Sequence, residues 1–217
     1  MKTINTLIWD FNGTILDDVD LCLYVLNYML KKRSLPTKSL EEYREIFGFP
    51  IKKYYEKAGF DFKKESYENL ALEFVELYFE NTSKYNIFQD FINFQNQLKD
   101  KNITQILLSA TKEDILTKQL KELNVYNFFN CIIGTSDIFA HGKIQRAKEF
   151  FKDTKLNLNN TLLIGDTIHD FQVSKELGCS CILYEKGHQN KKRLKKTGCP
   201  VISSFYEIFN YINLNCF

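Results

Sequence analysis

Several features that mark particular protein classes are missing from this sequence. It contains no apolar run long enough to cross a bilayer, and no signal peptide precedes the first predicted strand, so a cytoplasmic location is expected. The formal net charge is only +2 over 217 residues, which gives no electrostatic reason to expect binding to nucleic acid or to a membrane. Internal repeats and low-complexity linkers are also absent. With 44% apolar and 26% charged residues, the composition predicts a soluble globular protein with a sizeable core.

The cysteines show no pattern of a metal site or a disulfide framework. None of them stands in a Cys-x-x-Cys pair, and Cys179-Ser180-Cys181 is too closely spaced for a usual zinc half-site. We therefore expect reduced and mostly buried thiols. The six cysteines are Cys22, Cys131, Cys179, Cys181, Cys199 and Cys216.

The pattern of apolar residues predicts two kinds of architecture in one chain. From residue 88 onward, helical patterns alternate with short apolar runs, which is typical of a doubly wound parallel sheet. Residues 17–85 show helical periodicity without a convincing strand. We predict a Rossmann-like α/β core formed by residues 1–16 and 86–217, with an inserted α-helical cap domain at 17–85 that can close as a lid. The core strands are predicted at 4–10, 104–108, 131–133, 161–164 and 181–184.

Four helices are predicted within the inserted segment. Ser39 is expected to begin the second of them, and Gly59 is expected to end the third. The longest helix carries an aromatic stripe that we interpret as core. The predicted first residues are Asp17 or Asp18, Ser39, Ile51 and Lys64, and the predicted last residues are Arg33, Ile46, Ala58 and Tyr85.

Polar residues follow several predicted strands at the point where each strand ends. Asp10 ends the apolar run from Leu7 to Trp9, and Gly13 gives the next turn backbone N–H groups that can hold an anion. Ligands bind at the carboxyl ends of parallel strands, so side chains at these ends should share one cleft. Lys143 could reach that cleft from a loop or a helix start. The other residues expected there are Ser109, Asp166 and, one helical turn further on, Asp170.

These residues resemble the four motifs of the haloacid dehalogenase-like hydrolases. The stretch Asp10-Phe11-Asn12-Gly13-Thr14 resembles the first motif, and Ser109, Lys143 and the run from Gly165 to Asp170 match the others in order. The resemblance covers nearly the whole chain and is closest to the capped, phosphoglycolate phosphatase-like subgroup. It implies a Mg²⁺-dependent phosphatase that acts on a small phosphorylated metabolite. The expected oligomeric state, a monomer or a homodimer, is left open by the sequence.

The resemblance also implies a role for each matched residue. Asp10 would be the nucleophile that forms a phosphoaspartyl intermediate, and Lys143 would neutralise the charge of Asp10 and of the phosphoryl group. The implied metal ligands are Asp10, the backbone carbonyl of Asn12, Asp166 and Asp170. The groups implied in phosphate binding belong to Asn12, Gly13, Ser109, Ala110 and Lys143.

Asn12 departs from the family pattern, which has a second aspartate at this position. That aspartate donates a proton to the leaving oxygen and later takes one from water, and such help is worth about 10²–10⁴-fold. An amide cannot relay a proton at neutral pH. The sequence therefore predicts a slow phosphatase, one that prefers good leaving groups such as acyl or aryl phosphates, or one that recruits another base. Candidate bases are a cap residue, Asp17, Asp18 and His169; deamidation of Asn12 is a further alternative.

Two other functions remain open from the sequence. Asn12 is compatible with a catalytically weak protein that binds a phosphorylated ligand. A phosphonoacetaldehyde hydrolase-like activity would need a cap lysine as Schiff base, and residues 47–53 resemble a cap specificity loop that ends in Lys52 and Lys53. The basic run from Lys186 to Lys196, which includes His188, is interpreted as a solvated loop and helix.

Overall fold

The computed structural model describes residues 2–82, 85–99, 101–136 and 143–214. Within these ranges, no helix has the length and apolarity needed to cross a membrane. Five of the six cysteines lie within these ranges and form no disulfide; Cys22 is buried and the other four are half-buried. Cys216 lies outside the described residues.

Six parallel strands form the central sheet, which confirms the predicted doubly wound core. The strands are β2 (Thr6–Trp9), β5 (Thr104–Lys112), β6 (Cys131–Thr135), β7 (Thr161–Gly165), β8 (Ser180–Tyr184) and β9 (Val201–Ile202). Their order across the sheet is β6-β5-β2-β7-β8-β9. The predicted first strand is divided, because β1 (Lys2–Ile4) pairs instead with β10 (Ile212–Leu214) in a separate parallel pair.

β2 lies in the interior of this sheet, between β5 and β7. It pairs with β5 on one side and β7 on the other, so Trp9 lies opposite Leu107 and Ile164. Side chains along β2 alternate between the two faces: Trp9 belongs to one apolar cluster and Ile8 to the other. Because both faces are apolar, helices must cover both. The covering helices are α5 (Gln89–Leu98), α6 (Glu113–Glu122), α7 (Lys143–Lys152), α8 (Ile168–Leu177) and the short α9 (Lys191–Lys195).

Four helices occupy the inserted segment, as the sequence predicts. They are α1 (Val19–Lys32), α2 (Leu40–Ile46), α3 (Ile51–Ala58) and α4 (Tyr67–Glu80). Ser39 begins α2 with a reciprocal capping box with Glu42, and Gly59 ends α3 in the left-handed conformation. The helix α4 is shorter than predicted because Ser66 caps its first turn.

A two-residue antiparallel ladder joins the insertion to the core. β3 (Leu16–Asp17) pairs with β4 (Asn86–Ile87), so the chain leaves and re-enters the core at adjacent points. The prediction of no strand in residues 17–85 is therefore wrong at Asp17. Two residues are too few to display the alternation by which strands are recognised in a sequence.

Candidate active site

Asp10 stands at the carboxyl end of β2, where the sequence places it. Its backbone N–H donates to the carbonyl of Ile164 on β7, which holds the residue at the rim of the sheet. One carboxylate oxygen accepts a hydrogen bond from the Thr14 hydroxyl at 3.1 Å, and the other lies 2.5 Å from the Lys143 ammonium. The side chain is nearly buried, so both contacts act in a poorly hydrated environment.

Asp166 and Asp170 are presented by the end of β7 and the first turn of α8. Thr167 caps α8 through a reciprocal capping box with Asp170, whose Oδ2 accepts from the Thr167 backbone N–H and hydroxyl. Gly165 precedes this turn because there is no room for a side chain: a Cβ there would lie 2.3 Å from the Asp170 Cγ. The local fold thus aims the other Asp170 oxygen at Lys143, 2.7 Å away.

Lys143 connects the two carboxylates that face it. It is the first residue of α7, is almost completely buried, and donates to Asp10 and Asp170. Burial alone would lower the pKa of the ammonium, but these carboxylates raise it above its usual value. Lys148, the next lysine along α7, is exposed and pairs with Glu176 instead.

We expect Lys143→Met to lower the free energy of unfolding by about 3–5 kcal/mol, because it leaves two buried carboxylates without their cation. The measurement is chemical denaturation at neutral pH without divalent cations. Lys148→Met is the matched control and should stay within about 0.5 kcal/mol of the wild type, since its ion pair is exposed. Equal stability of the two variants would contradict the assigned role of Lys143.

Asp10, Asp166 and Asp170 form a candidate metal site. Their ligand atoms lie within 4.8 Å of one another, and an all-carboxylate set suits a hard cation. Burial raises the pKa of Asp10 to about 6 and that of Asp166 well above its usual value. Lys143 neutralises part of the charge, while Asp166 accepts from a neutral donor, the backbone N–H of His188. The excess negative charge is what a bound cation would offset.

The predicted phosphate-binding groups lie along the same rim. Ser109 is buried within β5, which continues to Lys112 instead of ending at Leu108 as predicted. The Gly13 φ of 74° requires glycine, and a Cβ there would lie 2.5 Å from an Asp166 oxygen. In this structure the Gly13 N–H donates to the Leu16 carbonyl and the Asp18 carboxylate. Ala110 also lines the cleft.

Both polar atoms of the Asn12 side-chain amide, the nitrogen and the oxygen, make hydrogen bonds. The amide nitrogen donates to Asp18 Oδ2 at 2.8 Å and to the Tyr78 hydroxyl at 3.3 Å. The amide oxygen accepts from the Thr111 hydroxyl at 3.0 Å. This orientation is assigned from the hydrogen-bond network, because only nitrogen can donate to a carboxylate. Asn12 therefore lies beside a buried acid, Asp18, which makes no side-chain cap for α1.

His188 belongs to this site, contrary to its interpretation as part of a solvated basic run. Its ring lies 3.3 Å from Asp18 on one side and 2.8 Å from the Tyr43 hydroxyl on the other. Burial would lower the pKa of His188, but Asp18 raises it to about 9. His188 lies just beyond the end of β8, and β8 is the neighbour of the strand that leads to Asp166. This position after a strand end is the sequence signal that could have revealed it.

Neither Asp17 nor His169, the other named candidate bases, is among the residues that line the cleft. Asp17 is exposed, and the ring of His169 stacks on Phe49 with 4.5 Å between centroids. Lys52 and Lys53 are both exposed and are not among the residues that line the cleft. The Lys52 ammonium lies over the Phe62 ring instead.

The insertion closes over the rim through contacts with the loop after β8. Arg44 donates to the carbonyls of Lys186 and Gly187, and Gln189 and Arg193 donate to the carbonyl of Phe47. A cavity of about 210 Å³ remains between the insertion and the sheet edge. The carboxylates, Lys143 and Ser109 line its core side, so most of the predicted residues are brought together in one half-open cleft.

A profile of haloacid dehalogenase-like hydrolases matches residues 7–184, from β2 to the end of β8. This span contains all the residues that carry the sequence resemblance. The chain therefore belongs to the haloacid dehalogenase-like hydrolase family, and the predicted family is confirmed.

Several relatives bear names of phosphatases. The chain is 21% identical over 182 residues to a protein named as the pyrophosphatase PpaX of Caldanaerobacter subterraneus subsp. tengcongensis, covering 81% of this chain and 79% of that one. It is 23% identical over 200 residues to a phosphoglycolate phosphatase of Pseudomonas syringae pv. tomato, covering 87% and 72%. The solved structure of a haloacid dehalogenase-like family protein from Streptococcus pneumoniae superposes with a TM-score of 0.81 at 18% identity, covering 96% and 98%.

Proposed function

We propose that this protein is a Mg²⁺-dependent phosphatase of small phosphate monoesters, with Asp10 as the nucleophile. The observation that carries the proposal is the position of Asp10 at the end of the central strand, within 2.5 Å of the buried ammonium of Lys143. A carboxylate so paired has a cation beside it to attract a phosphate dianion. The phosphatase names of two relatives support the same reaction class.

In this proposal the Asp10 oxygen forms a bond to phosphorus while the ester P–O bond breaks. The leaving oxygen takes the electron pair, and water then hydrolyses the phosphoaspartyl group. Lys143 would stabilise the charge on the transferred group, and Ser109 with the backbone N–H of Ala110 would bind its oxygens. Asp10, the Asn12 carbonyl, Asp166 and Asp170 would hold Mg²⁺, which would supply charge neutralisation and orientation of the phosphate.

Residues 17–85 would act as the cap that excludes water from this cleft. The contacts of Arg44 with the loop after β8 support this assignment, because they join the insertion to the core on the rim side. Excluding water strengthens the interactions of charged groups within the cleft.

A second candidate is a phosphate-ligand-binding protein with weak turnover. The observation in its favour is the Asn12 amide, which faces Asp18 and Thr111 with both of its polar atoms bonded. A group held in this way would not deliver a proton to a leaving oxygen. The phosphatase proposal therefore includes slow turnover on esters with poor leaving groups.

The proposal predicts that a chelator removes turnover of p-nitrophenyl phosphate and that added Mg²⁺ restores it. The physical reason is the excess of buried carboxylate at Asp10, Asp166 and Asp170, which repels an incoming dianion unless a cation offsets it. The measurement is turnover before and after chelation, with Mg²⁺ added back in steps. Turnover that survives complete chelation would contradict the metal-dependent mechanism.

A second readout follows binding without catalysis. Mg²⁺ should raise the thermal unfolding midpoint of the wild type, because it binds the folded chain and not the unfolded one. Asp166→Asn should reduce that shift, while Asp114→Asn, at an exposed ion pair with Lys112, should leave it unchanged. If Mg²⁺ does not shift the unfolding midpoint of the wild type, the protein does not bind the metal under these conditions. A lack of turnover would then be due to weak metal binding and not to slow chemistry.

A further inference from the structure

The part of the cavity wall that the insertion contributes is mostly aromatic, with a few aliphatic side chains between the rings. Four half-buried phenylalanines from the insertion line it, together with a group of largely buried tyrosines. α2 and the loop after it, α3 and α4 all contribute to this wall, so it is a continuous surface built by separate elements. We call it the aromatic wall, and its members are Tyr43, Phe47, Phe49, Tyr54, Tyr55, Tyr67, Phe74, Tyr78 and Phe79.

Charged groups are scarce on this wall. Asp18 is the one charged side chain that the described residues of the insertion contribute to the cavity lining, and Asn12, Tyr78 and His188 already bond it. On the core side, Lys112 also lines the cavity, but its ammonium pairs with Asp114 at 2.7 Å. His188, which also lines the cavity, is likewise already paired, with Asp18. Apart from Lys143, each cation among the described lining residues therefore has a carboxylate partner and is not available to a second negative group of a substrate.

The aromatic wall is poorly suited to the substrates that the names of the relatives indicate. Pyrophosphate carries a second phosphoryl group beyond the bond that breaks, and phosphoglycolate carries a carboxylate. Either group would have to lose its hydration against an apolar wall without a partner of opposite charge, which is costly. A flat uncharged ring would instead gain from burial and from edge or face contacts with the aromatic side chains.

We propose that the substrate is a phosphate monoester whose alcohol portion is an uncharged aromatic ring. This inference rests on the phosphatase function proposed above. The phosphate would lie against Asp10 and Lys143, and the ring would lie against the aromatic wall. A cavity of about 210 Å³ is large enough, because an apolar cavity of roughly 150 Å³ already accommodates benzene.

Two buried polar atoms indicate that the ring carries a hydrogen-bonding substituent. The Tyr54 hydroxyl and the Gln119 side-chain oxygen both belong to cavity-lining residues, and neither has a hydrogen-bond partner among the described residues. An unpaired buried polar group costs about 1–3 kcal/mol. A hydroxyl group on the substrate ring could satisfy one of them.

An aromatic alcohol also suits the amide at position 12. When the phosphate is on a phenolic oxygen, breaking the P–O bond releases a phenolate, which is stable enough to leave before it takes a proton from water. A proton donor at Asn12 is then less important for the first step. The aromatic wall and Asn12 therefore favour the same class of ester for independent reasons.

The test compares esters whose leaving oxygens are alike. Benzyl phosphate and 2-phosphoglycolate are both esters of primary alcohols, so a difference between them reports the ring and not the leaving group. With Mg²⁺ present, kcat/KM should be at least about tenfold higher for benzyl phosphate than for 2-phosphoglycolate. Phenyl phosphate, which has the better leaving group, should be the fastest of the three.

Phe74 supplies the variant for this test, since it is half-buried, lines the cavity and stacks on Tyr78 with 6.2 Å between centroids. Phe74→Leu should lower the preference for benzyl phosphate about three- to tenfold, mainly through KM. The matched control is Phe62→Leu, in the same insertion and also half-buried, but outside the cavity lining. It should keep the wild-type preference.

A binding measurement separates failure of this inference from failure of the phosphatase function. Benzylphosphonate and phosphonoacetate, which have no ester bond to cleave, should bind with Mg²⁺ present in the same order of preference by calorimetry. Equal or better turnover of 2-phosphoglycolate would overturn the inference and leave the phosphatase standing. Tighter binding of benzylphosphonate without turnover of any ester would support the aromatic specificity and reject the phosphatase. No turnover and no preference in binding would reject both.

Discussion

Asp10→Asn is expected to abolish phosphatase turnover while leaving the protein folded and more stable at neutral pH. An amide is not a nucleophile towards phosphate, so kcat should fall by at least about 10³-fold, in the range seen when catalytic nucleophiles are removed. The substitution keeps the size of the side chain and an oxygen that can accept from Lys143, 2.5 Å away in the wild type. The measurement is kcat on the best ester of the panel with Mg²⁺ present.

The expected gain in stability follows from the pKa of Asp10. Burial raises this pKa from 3.8 to about 6, so the ionised form is disfavoured in the folded state. The contribution of Asp10 to stability is therefore greatest below pH 3.8 and is lost as the pH rises through about 6. At pH 7 without metal, the neutral amide should raise the free energy of unfolding.

Asp20→Asn is the matched control, because Asp20 is an exposed acid in the first turn of α1. It should leave kcat unchanged and should lower the free energy of unfolding by no more than about 1 kcal/mol, because it removes a negative charge from the N-terminus of a helix. A fall in both activity and stability in Asp10→Asn would show that Asp10 acts through the fold and not as the nucleophile. Full activity of Asp10→Asn would reject the proposed mechanism.

Asn12→Asp is expected to give little gain in activity alone and a large gain when combined with Asp18→Asn. The single change places a new carboxylate where an amide now donates to Asp18 at 2.8 Å. Two carboxylates at that distance cannot both ionise, so a proton is trapped between them and stability falls by about 1–3 kcal/mol. The measurement is kcat on benzyl phosphate together with the free energy of unfolding.

The double variant exchanges the amide and the acid between the two positions. The new amide at position 18 would donate to the new carboxylate at position 12, while its oxygen would still accept from the Gly13 N–H. The carboxylate could then act as general acid and base, and kcat should rise by about 10²–10⁴-fold on esters with poor leaving groups. The gain should be smaller on p-nitrophenyl phosphate, because that leaving group needs no proton.

Asp18→Asn alone is the control for this exchange. It keeps Asn12 and adds no proton relay, so it should not raise kcat. A double variant no faster than Asp18→Asn would show that the absence of an acid at position 12 does not limit turnover. A single Asn12→Asp variant with the full gain would contradict the repulsion inferred from the Asp18 contact.

The residues at the rim of the sheet could be predicted because short stretches of sequence identify them. Asp10 and Asp166 each follow an apolar run that ends abruptly, and the fold brings such strand ends together at one edge. Lys143 begins a helix, as the pattern allowed. Each of these positions is determined by a few neighbouring residues and by the regular geometry of a parallel sheet.

The network around Asn12 could not be predicted in the same way. Asp18 and His188 are 170 residues apart in number, and the Tyr43 and Tyr78 hydroxyls that bond them come from different helices of the insertion. No local pattern distinguishes a buried tyrosine hydroxyl with a partner from an apolar core position. His188 was interpreted as solvated because basic neighbours surround it in sequence, whereas its burial depends on how the insertion packs on the core.

The ladder between β3 and β4 has a consequence for chain entropy. Because Leu16 pairs with Ile87, the insertion is the loop of a hairpin whose paired ends are about seventy residues apart. Closing such a loop costs about 2.5 kcal/mol more than closing a four-residue turn, since the cost grows with the logarithm of loop length. α1 packs on α4 within this loop, and the insertion shares one apolar cluster with a face of the sheet. The packing that shapes the aromatic wall thus offsets the entropic cost of bringing β2 alongside β5.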